Sequence, residues 1–568
     1  MKTIGQAGAE AMRRLARRMR KRPYARLFAG NTPERLLLAP QDVRNCDPAT
    51  AMDIYSGRYF LAGRMVDLDG RDPFREKGVP LQWQRELHAF QWLRHLDAAS
   101  TGMATNNAKA LIRDWMASHG KPSGSIAWNE EIAAKRLISW ICHSVPVIES
   151  ADPVFYRNWL KSIGLHIRFL KLSANDAANG MPRLTARIAL AYAQICVDRQ
   201  DIYLRRAGKN LCDELNRQIL PDGSHITRNP ANILNILALL LPLREAYARF
   251  GHAPGQEMVS AIDRMMVAMK FYRLGDGSFA RFNGVGPMQS DLVSTLLRYD
   301  DSLGTPPQSA TDSGYQRMML GDTIIIADTG KPPTGVLSER ASAGTLSFEF
   351  SSGTCPVMVN CGMPAKEDSE LLRTARATAA HNTATINNTS SSRFYSGTRF
   401  VRFLRDRIVS GPSRVICRRS GQDDSSTQFD ASHDGYLKPF GVIHSRMLRL
   451  EADGNVIKGI DRFTAKGGKP VAKKRPVQFA IRFHLHPSVS AGKGSNPNTI
   501  ILMCGKGITW RLVCIDAIPQ IEDSIFIASV NGPRRTKQIV IEGDSRDTPE
   551  VRWIIQRDTT TSAAQGRM

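Results

Sequence analysis

At 568 residues, with 42% hydrophobic and 23% charged residues, the chain has an ordinary globular composition but is too long for one simple core, so two or three domains are expected. Lys and Arg number 77 against 53 Asp and Glu, a net charge of +24, and such a surplus favours a polyanionic partner: nucleic acid, an acidic membrane face or an acidic polysaccharide. The 9 cysteines form no CxxC pair, which argues against zinc ribbons and thioredoxin-type chemistry and fits reduced thiols.

The first 30 residues, "MKTIGQAGAEAMRRLARRMRKRPYARLFAG", are basic and partly amphipathic. They lack the uninterrupted apolar core of ~7–15 residues that a signal peptide needs. Two readings stand side by side: a basic surface helix that touches an anionic membrane, and a solvated leading helix. No apolar run reaches about 18 residues, so no transmembrane span is expected.

Up to about residue 300 the apolar period is helical. In "LQWQRELHAFQWLRHL" (81–96), Leu81, Leu87, Phe90, Trp92, Leu93 and Leu96 fall largely on one side of a helix. Residues 130–145, 183–197, 231–250 and 257–272 repeat the behaviour, separated by Gly/Pro/Asp connectors such as "LPDGSHITRNP" (220–230) and "LGDGSFARFNGVGP" (274–287). Many helices on short connectors predict helical hairpins packed side by side or in a ring. After "YDDSLGTPPQSATDSGY" (299–315) the period becomes two, in runs rich in Val, Ile, Thr and Phe: 322–330, 344–353, 355–362, 381–388, 407–420, 442–463, 476–487 and 524–533. The expected order is a basic segment over 1–45, an all-helical domain over 46–300, a linker over 301–315 and an antiparallel β-sandwich over 316–560.

No P-loop, Rossmann glycine pattern, HExxH or GxSxG is present, and the basic residues are dispersed outside any recognised nucleic-acid module. Nucleic acid is therefore not the expected partner. The chemistry-bearing residues cluster in connectors and at strand ends. His225, Arg228 and Asn229 lie between two strong helices, either as a base with carboxylate-binding groups or as a cap network led by Asp222 or Asn229. Arg340 opens a strand in "SERASAGTLSFEF". "ARATAAHNTATINN" (375–388) holds His381 and Asn382, with Arg373, Arg376 and Arg393 around the small-residue run. His433, Tyr436 and His444 surround a Gly turn and read either as a site or as a ring stack within a sheet. His484 and His486, at i and i+2 on one strand, read as a metal pair or as one half-exposed sheet face.

The order of these motifs resembles the heparinase II/III-like family. The residues that carry the resemblance are Trp83, Glu86, Leu87, His88 and Phe90; Trp128 and Trp140; "LPDGSH" (220–225); "LSFEF" (346–350); "AAHNT" (379–383); and "HDGY…FGVIHSRMLRL" (433–450). The resemblance spans about residues 50–530. It implies an incomplete α/α-toroid followed by an antiparallel β-sandwich. It also implies a polysaccharide lyase that cleaves uronic-acid-containing chains such as glycosaminoglycan or alginate by β-elimination, with no cofactor. That reaction needs the uronate carboxylate neutralised, a base for the C5 proton and an acid for the leaving oxygen. Carried over, His225 is the base candidate, Arg228 and Asn229 the neutralising groups, His381 and Asn382 the contribution of the sandwich, and Tyr436 the acid candidate. Arg340 and Arg376 are substrate-binding cations, and a basic groove between the two domains would hold the anionic chain.

The departures from the family pattern matter as much. Met181 and Pro182 stand where the family commonly has an Asn-His pair, and "NPANIL" carries no Tyr. "RASAG" puts Arg340 and Ser342 in place of the family's HxH, and Asn360 replaces a metal-ligand Asp. Only His381 of that metal trio remains, so no metal site is expected. These losses support the alternative reading, a catalytically impaired anionic-glycan-binding protein of the cell envelope. The resemblance implies the envelope or periplasm, while the absence of a visible export signal leaves the cytoplasm open.

Overall fold

The computed structural model describes residues 32–558 apart from 150, 198–200, 289, 301–304, 366–368, 396–405, 424 and 472–476, together with Gly8 and Met12. The basic segment 1–30, with its expected membrane contact, otherwise lies outside the described residues. The chain divides into two compact units. One comprises residues up to Ile219, Leu234–Met266 and Asp291–Ser302; the other comprises Leu220–Ile233, Val267–Ser290 and Leu303 onward.

The first unit is helical, and side-chain caps fix its helix starts. Thr101 accepts from Ala104 N at the head of Gly102–His119, Asn129 from Glu131 N at Glu130–Cys142, and Asp152 from Phe155 N at Pro153–Ser173. Each such cap is worth about 1 kcal/mol. Helix Glu130–Cys142 packs against Leu81–Ala89, Pro153–Ser173 and Met181–Cys196, and the last of these against Asp201–Gln218. No helix among the described residues is long and apolar enough to cross a membrane.

The single helix expected over 81–96 is instead two, Leu81–Ala89 and Leu93–Ala99, parted at Phe90 with φ +58°. Tertiary packing accounts for the break. The Phe90 ring stacks on Phe74 and meets Trp92, Trp115 and Trp140, while its carbonyl accepts from Ser139 Oγ at 2.6 Å as well as from Leu93 N at 3.0 Å. Beside this cluster the fully buried Arg136 lies 3.9 Å over the Trp115 ring. It donates to His166 Nε2 at 2.9 Å and the His88 carbonyl at 2.7 Å, so its charge rests on aromatic faces and backbone dipoles.

Among the described residues the second unit contains three larger antiparallel sheets and a two-stranded one that pairs Arg393–Phe394 with Ile408–Ser410. The largest runs Val415–Asp423, Ser426–His433, Ile443–Glu451, Val456–Thr464, Glu550–Arg557, Thr509–Cys514, Thr499–Met503 and Ser490–Lys493 in spatial order. A second runs Gln520–Phe526, Arg534–Asp544, Gln478–His484 and Ala384–Ile386; a third runs Ser309–Ala310, Tyr315–Leu320, Thr323–Asp328, Phe348–Ser352 and Cys355–Met358. Buried and half-buried residues alternate along Val456–Thr464 and Ile443–Glu451, the mark of sheets with one face on a core. Phe348, Phe350, Phe479, Phe483, Trp510 and Trp553 fill that core. Trp553 takes the space beside Gly459, where a Cβ would stand 2.1 Å from the indole. A helical region followed by antiparallel sheets is thus the architecture, as the change of period indicates.

Candidate functional site

The connector 220–230 and the later connector around Asn283 pack with the sheets. Asp222 anchors the first: one carboxylate oxygen accepts Ser224 N at 2.9 Å, the other Ser313 N at 2.7 Å and Ser313 Oγ at 2.8 Å. Asn229 caps the helix Ala231–Arg249 through Ala231 N at 3.0 Å. Between them Arg228 adopts φ +57°, a conformation that costs a non-glycine residue free energy.

Arg228 is turned into the fold. Its Nη2 pairs with Asp328 Oδ1 at 2.5 Å, Nε donates to the Ser313 carbonyl at 2.5 Å and Nη1 to the Lys331 carbonyl at 2.9 Å. Its guanidinium sits 4.7 Å over the Tyr315 ring, and the Tyr315 hydroxyl donates back to the Arg228 carbonyl at 2.6 Å. Asn283 closes the network, donating to Tyr315 Oη at 2.7 Å and Asp328 Oδ2 at 3.0 Å. Burial works against the Arg228 charge, and the Asp328 carboxylate overrides it, holding the guanidinium above the ordinary arginine range.

His225 is 1% exposed, with Nδ1 2.7 Å from Thr227 Oγ1, and burial pushes its imidazole down to about 3. His381 is 2% exposed, its Nδ1 donates to the Ala377 carbonyl at 2.8 Å, and burial pushes it down to about 4 with Asp328 opposing weakly. Both are therefore neutral at neutral pH and weak as bases, since proton abstraction is most effective when the pKa lies near the working pH.

Asn382 is a core amide. Its side chain donates to the Phe348 carbonyl at 2.8 Å and accepts His484 N at 2.6 Å, and its N–H donates to Asn360 Oδ1 at 2.9 Å. Arg376 is buried, donating to the Ala341 and Ser338 carbonyls at 2.7 Å each, with Phe394 beneath it. Tyr436 is fully buried and donates to the Ala384 carbonyl at 2.8 Å. Its ring lies in a row with His433 and His444, tilted at 51° to His433 at 5.5 Å, while His444 meets His433 edge-on at 5.4 Å. Arg340 is exposed and stands beside Asn229: a Cβ built on Gly284 would lie 2.8 Å from Asn229 Nδ2 and 3.1 Å from the Arg340 carbonyl.

Two convergences result. Arg228 and His381 share Asp328 as an electrostatic neighbour, and Asn229 and Arg340 meet at Gly284. Tyr436 and Arg376 are engaged elsewhere, with core and backbone partners. Asp328, Asn283 and Tyr315 are the residues that sequence reasoning missed; the one usable signal was a carboxylate closing the apolar run "TIIIAD". Glu349 of "LSFEF" is likewise engaged inside the fold, accepting Arg281 N at 2.8 Å and Asn360 N at 3.0 Å.

His484 hydrogen-bonds Ser524 and the Ala379 carbonyl, while His486 bonds Ser488, so the two do not converge on one point. Among the described residues no group of three or more His, Cys, Asp and Glu is arranged to hold a metal ion. A groove of about 470 Å³ in the helical unit, lined by Arg205, Lys209, Tyr247 and His252 among others, contains none of the candidate residues.

Residues 303–554 match the family "Heparinase II/III-like, C-terminal". The chain is 29% identical over 547 residues to "FtsZ-localized protein C" of Caulobacter vibrioides, covering 94% of this chain and 92% of that protein. Among solved structures, "Crystal Structure of Heparinase III" aligns with TM-score 0.71 over 94% of this chain and 88% of the other at 11% identity. Heparan sulfate lyase HepC from Pedobacter heparinus aligns with TM-score 0.60 over 91% of this chain and 84% of that chain at 14% identity. At such identities the likeness is one of fold.

Proposed function

We propose that this chain, whose residues 303–554 form a heparinase II/III-like C-terminal domain, is a non-cleaving relative of the polysaccharide lyases that binds an anionic polysaccharide and works at the FtsZ-marked division site. The observation that carries this reading is the Arg228–Asp328 pair. The cation best placed by sequence to neutralise a uronate carboxylate spends each of its nitrogens on partners within its own fold. The two imidazoles beside it in the motif order are buried and weakly basic, so β-elimination lacks both an activating cation and an effective base. The +24 charge supports an anionic partner. The division site is inferred from the name of the Caulobacter relative. The basic segment 1–30 would add a peripheral contact with anionic membrane.

The test has two arms. The folded protein is incubated with heparan sulfate, alginate and hyaluronate, and release of unsaturated uronate is followed by ultraviolet absorbance; none above the blank is expected. A fluorescent fusion is imaged beside FtsZ and is expected to form the same midcell band. Steady release of unsaturated product, or a fusion indifferent to FtsZ, would overturn the proposal.

One observation favours a second reading, a lyase that retains activity. The Asn229 amide and the backbone of the exposed Arg340 meet at Gly284, and an amide and a guanidinium are both groups able to neutralise a uronate carboxylate. Under that reading Arg340→Ala abolishes product release in the first arm.

A further inference from the structure

The groove of about 470 Å³ in the helical unit takes no part in the site described above. Helix Asp201–Gln218, the end of helix Ala231–Arg249 and the connector into helix Gln256–Phe271 form it, all within that unit. Its volume falls in the range of about 300–1,000 Å³ usual for small-molecule sites. The buried Leu204, Cys212 and Tyr247 supply apolar lining. Gly208, inside the first helix, leaves part of the wall bare. A Cβ there would meet only the Tyr247 hydroxyl, at 3.4 Å, an ordinary contact. Packing would therefore accept alanine, which a helix interior prefers over glycine by about 1 kcal/mol.

Charge is sorted along this groove. Arg205 and Lys209 stand one turn apart on helix Asp201–Gln218, and Asp213 follows one turn later on the same stripe. Glu257 joins the Asp213 end: a Cβ built on Gly255 would press on Cys212 Sγ and lie 3.3 Å from Glu257 Oε2. All four charged side chains are exposed, and among the described residues none of them forms an ion pair. Lys209 and Asp213 are four residues apart in the order Lys then Asp, the weaker orientation for a helical pair. A basic end and an acidic end thus face the same space with neither neutralising the other.

We propose that this groove binds a short peptide with both ends free, its carboxylate at Arg205 and Lys209 and its ammonium at Asp213 and Glu257. A simple anion would meet the two carboxylates and a simple cation the two basic groups, whereas a zwitterion satisfies both ends. The guanidinium of Arg205 suits a carboxylate, which it can engage through two parallel N–H groups. From midway between Arg205 and Lys209 to Asp213 the helix rises about 9 Å, and an extended tripeptide covers about 10 Å. The ligand is therefore two or three residues long. Burial and then the Glu257 carboxylate push the Cys212 thiol up to about 11, so it adds no charge between the two ends. The glycan reading is independent of this site, and the test below uses no polysaccharide.

The full-length protein is titrated in a calorimeter with trialanine, and with its N-acetylated, C-amidated and doubly blocked forms, since each block removes one end charge. Expected is saturable binding of one trialanine per chain, weakened about fivefold or more by blocking either end. Arg205→Gln with Lys209→Gln should erase the preference for a free carboxylate and keep that for a free amine. Asp213→Asn with Glu257→Gln should do the reverse. All four positions are exposed, so both double variants are expected to fold. No saturable heat with trialanine at millimolar concentration, or equal binding of the doubly blocked peptide, overturns the proposal. So does full affinity for the N-acetylated form, the mark of a plain anion site. These three readouts need no variant, so a variant that fails to fold leaves the test intact.

Discussion

Arg228 and Asp328, 100 residues apart in sequence, form a buried ion pair at the end of strand Thr323–Asp328. Buried pairs are costly to break from one side, because the remaining charge is left in low dielectric. Asp328→Asn is therefore expected to destabilise the sheet unit by roughly 3–5 kcal/mol, read as a fall in the urea midpoint. Replacing both partners with apolar residues, Arg228→Met with Asp328→Leu, should recover much of that loss. Equal destabilisation in the single and double variants would show that the pair is not the source.

A second consequence concerns pH. His225, His381 and His484 have imidazoles pushed by burial down to about 3, 4 and 3. In the unfolded chain they titrate near 6.5. Below about pH 6.5 the unfolded state takes up protons that the native state refuses, so stability is full above that pH and falls toward pH 4. Three such groups give a slope of up to roughly 4 kcal/mol per pH unit. Urea midpoints at neutral pH and at mildly acid steps should fall steadily, and His484→Gln should flatten the trend. A midpoint constant down to about pH 5 would exclude neutral burial of these rings.

The helix-to-strand switch was legible because a period near 3.6 and a period of two cannot be mistaken over hundreds of residues. The break at Phe90 was not, since the apolar stripe of 81–96 runs on unbroken while the ring's partners lie in other helices. At the candidate site the same division holds. Asn229 could be read as a cap from its place before an apolar helix, and it is one. That Arg228 belongs to Asp328 could not, because nothing local links a loop arginine to a strand-end carboxylate 100 residues on. Tyr436 and His444 were open to a stacked reading; instead both rings flank His433, Tyr436 tilted at 51° and His444 edge-on at 89°.

Gly344 provides a local test of how firmly His381 is held. A Cβ there would stand 2.7 Å from His381 Cδ2 and 3.2 Å from Cγ. The ring has little freedom to retreat, being buried and tied through Nδ1 to the Ala377 carbonyl. Gly344→Ala is expected to cost about 1–3 kcal/mol by overpacking, visible in thermal unfolding. The companion change His381→Ala in the Gly344→Ala background should relieve part of that cost. A neutral Gly344→Ala would mean that His381 is free to move.

Arg340 and Arg376 separate recognition from architecture on the same stretch of chain. Arg376 is 2% exposed and donates to two backbone carbonyls, so Arg376→Ala removes the side-chain donors of Ala341 and Ser338 and the buried packing of the guanidinium and should destabilise by about 2 kcal/mol or more. Arg340 is exposed beside Asn229, and replacement of an exposed residue normally shifts stability by no more than about 0.5 kcal/mol. Its side chain, being exposed, can be reached by an anionic polymer. Arg340→Glu should leave the unfolding midpoint in place and weaken retention on an immobilised anionic polysaccharide, with the difference shrinking as salt is raised. Ordinary retention by Arg340→Glu at low salt would remove this arginine from the recognition surface and move the anionic contact elsewhere on the chain.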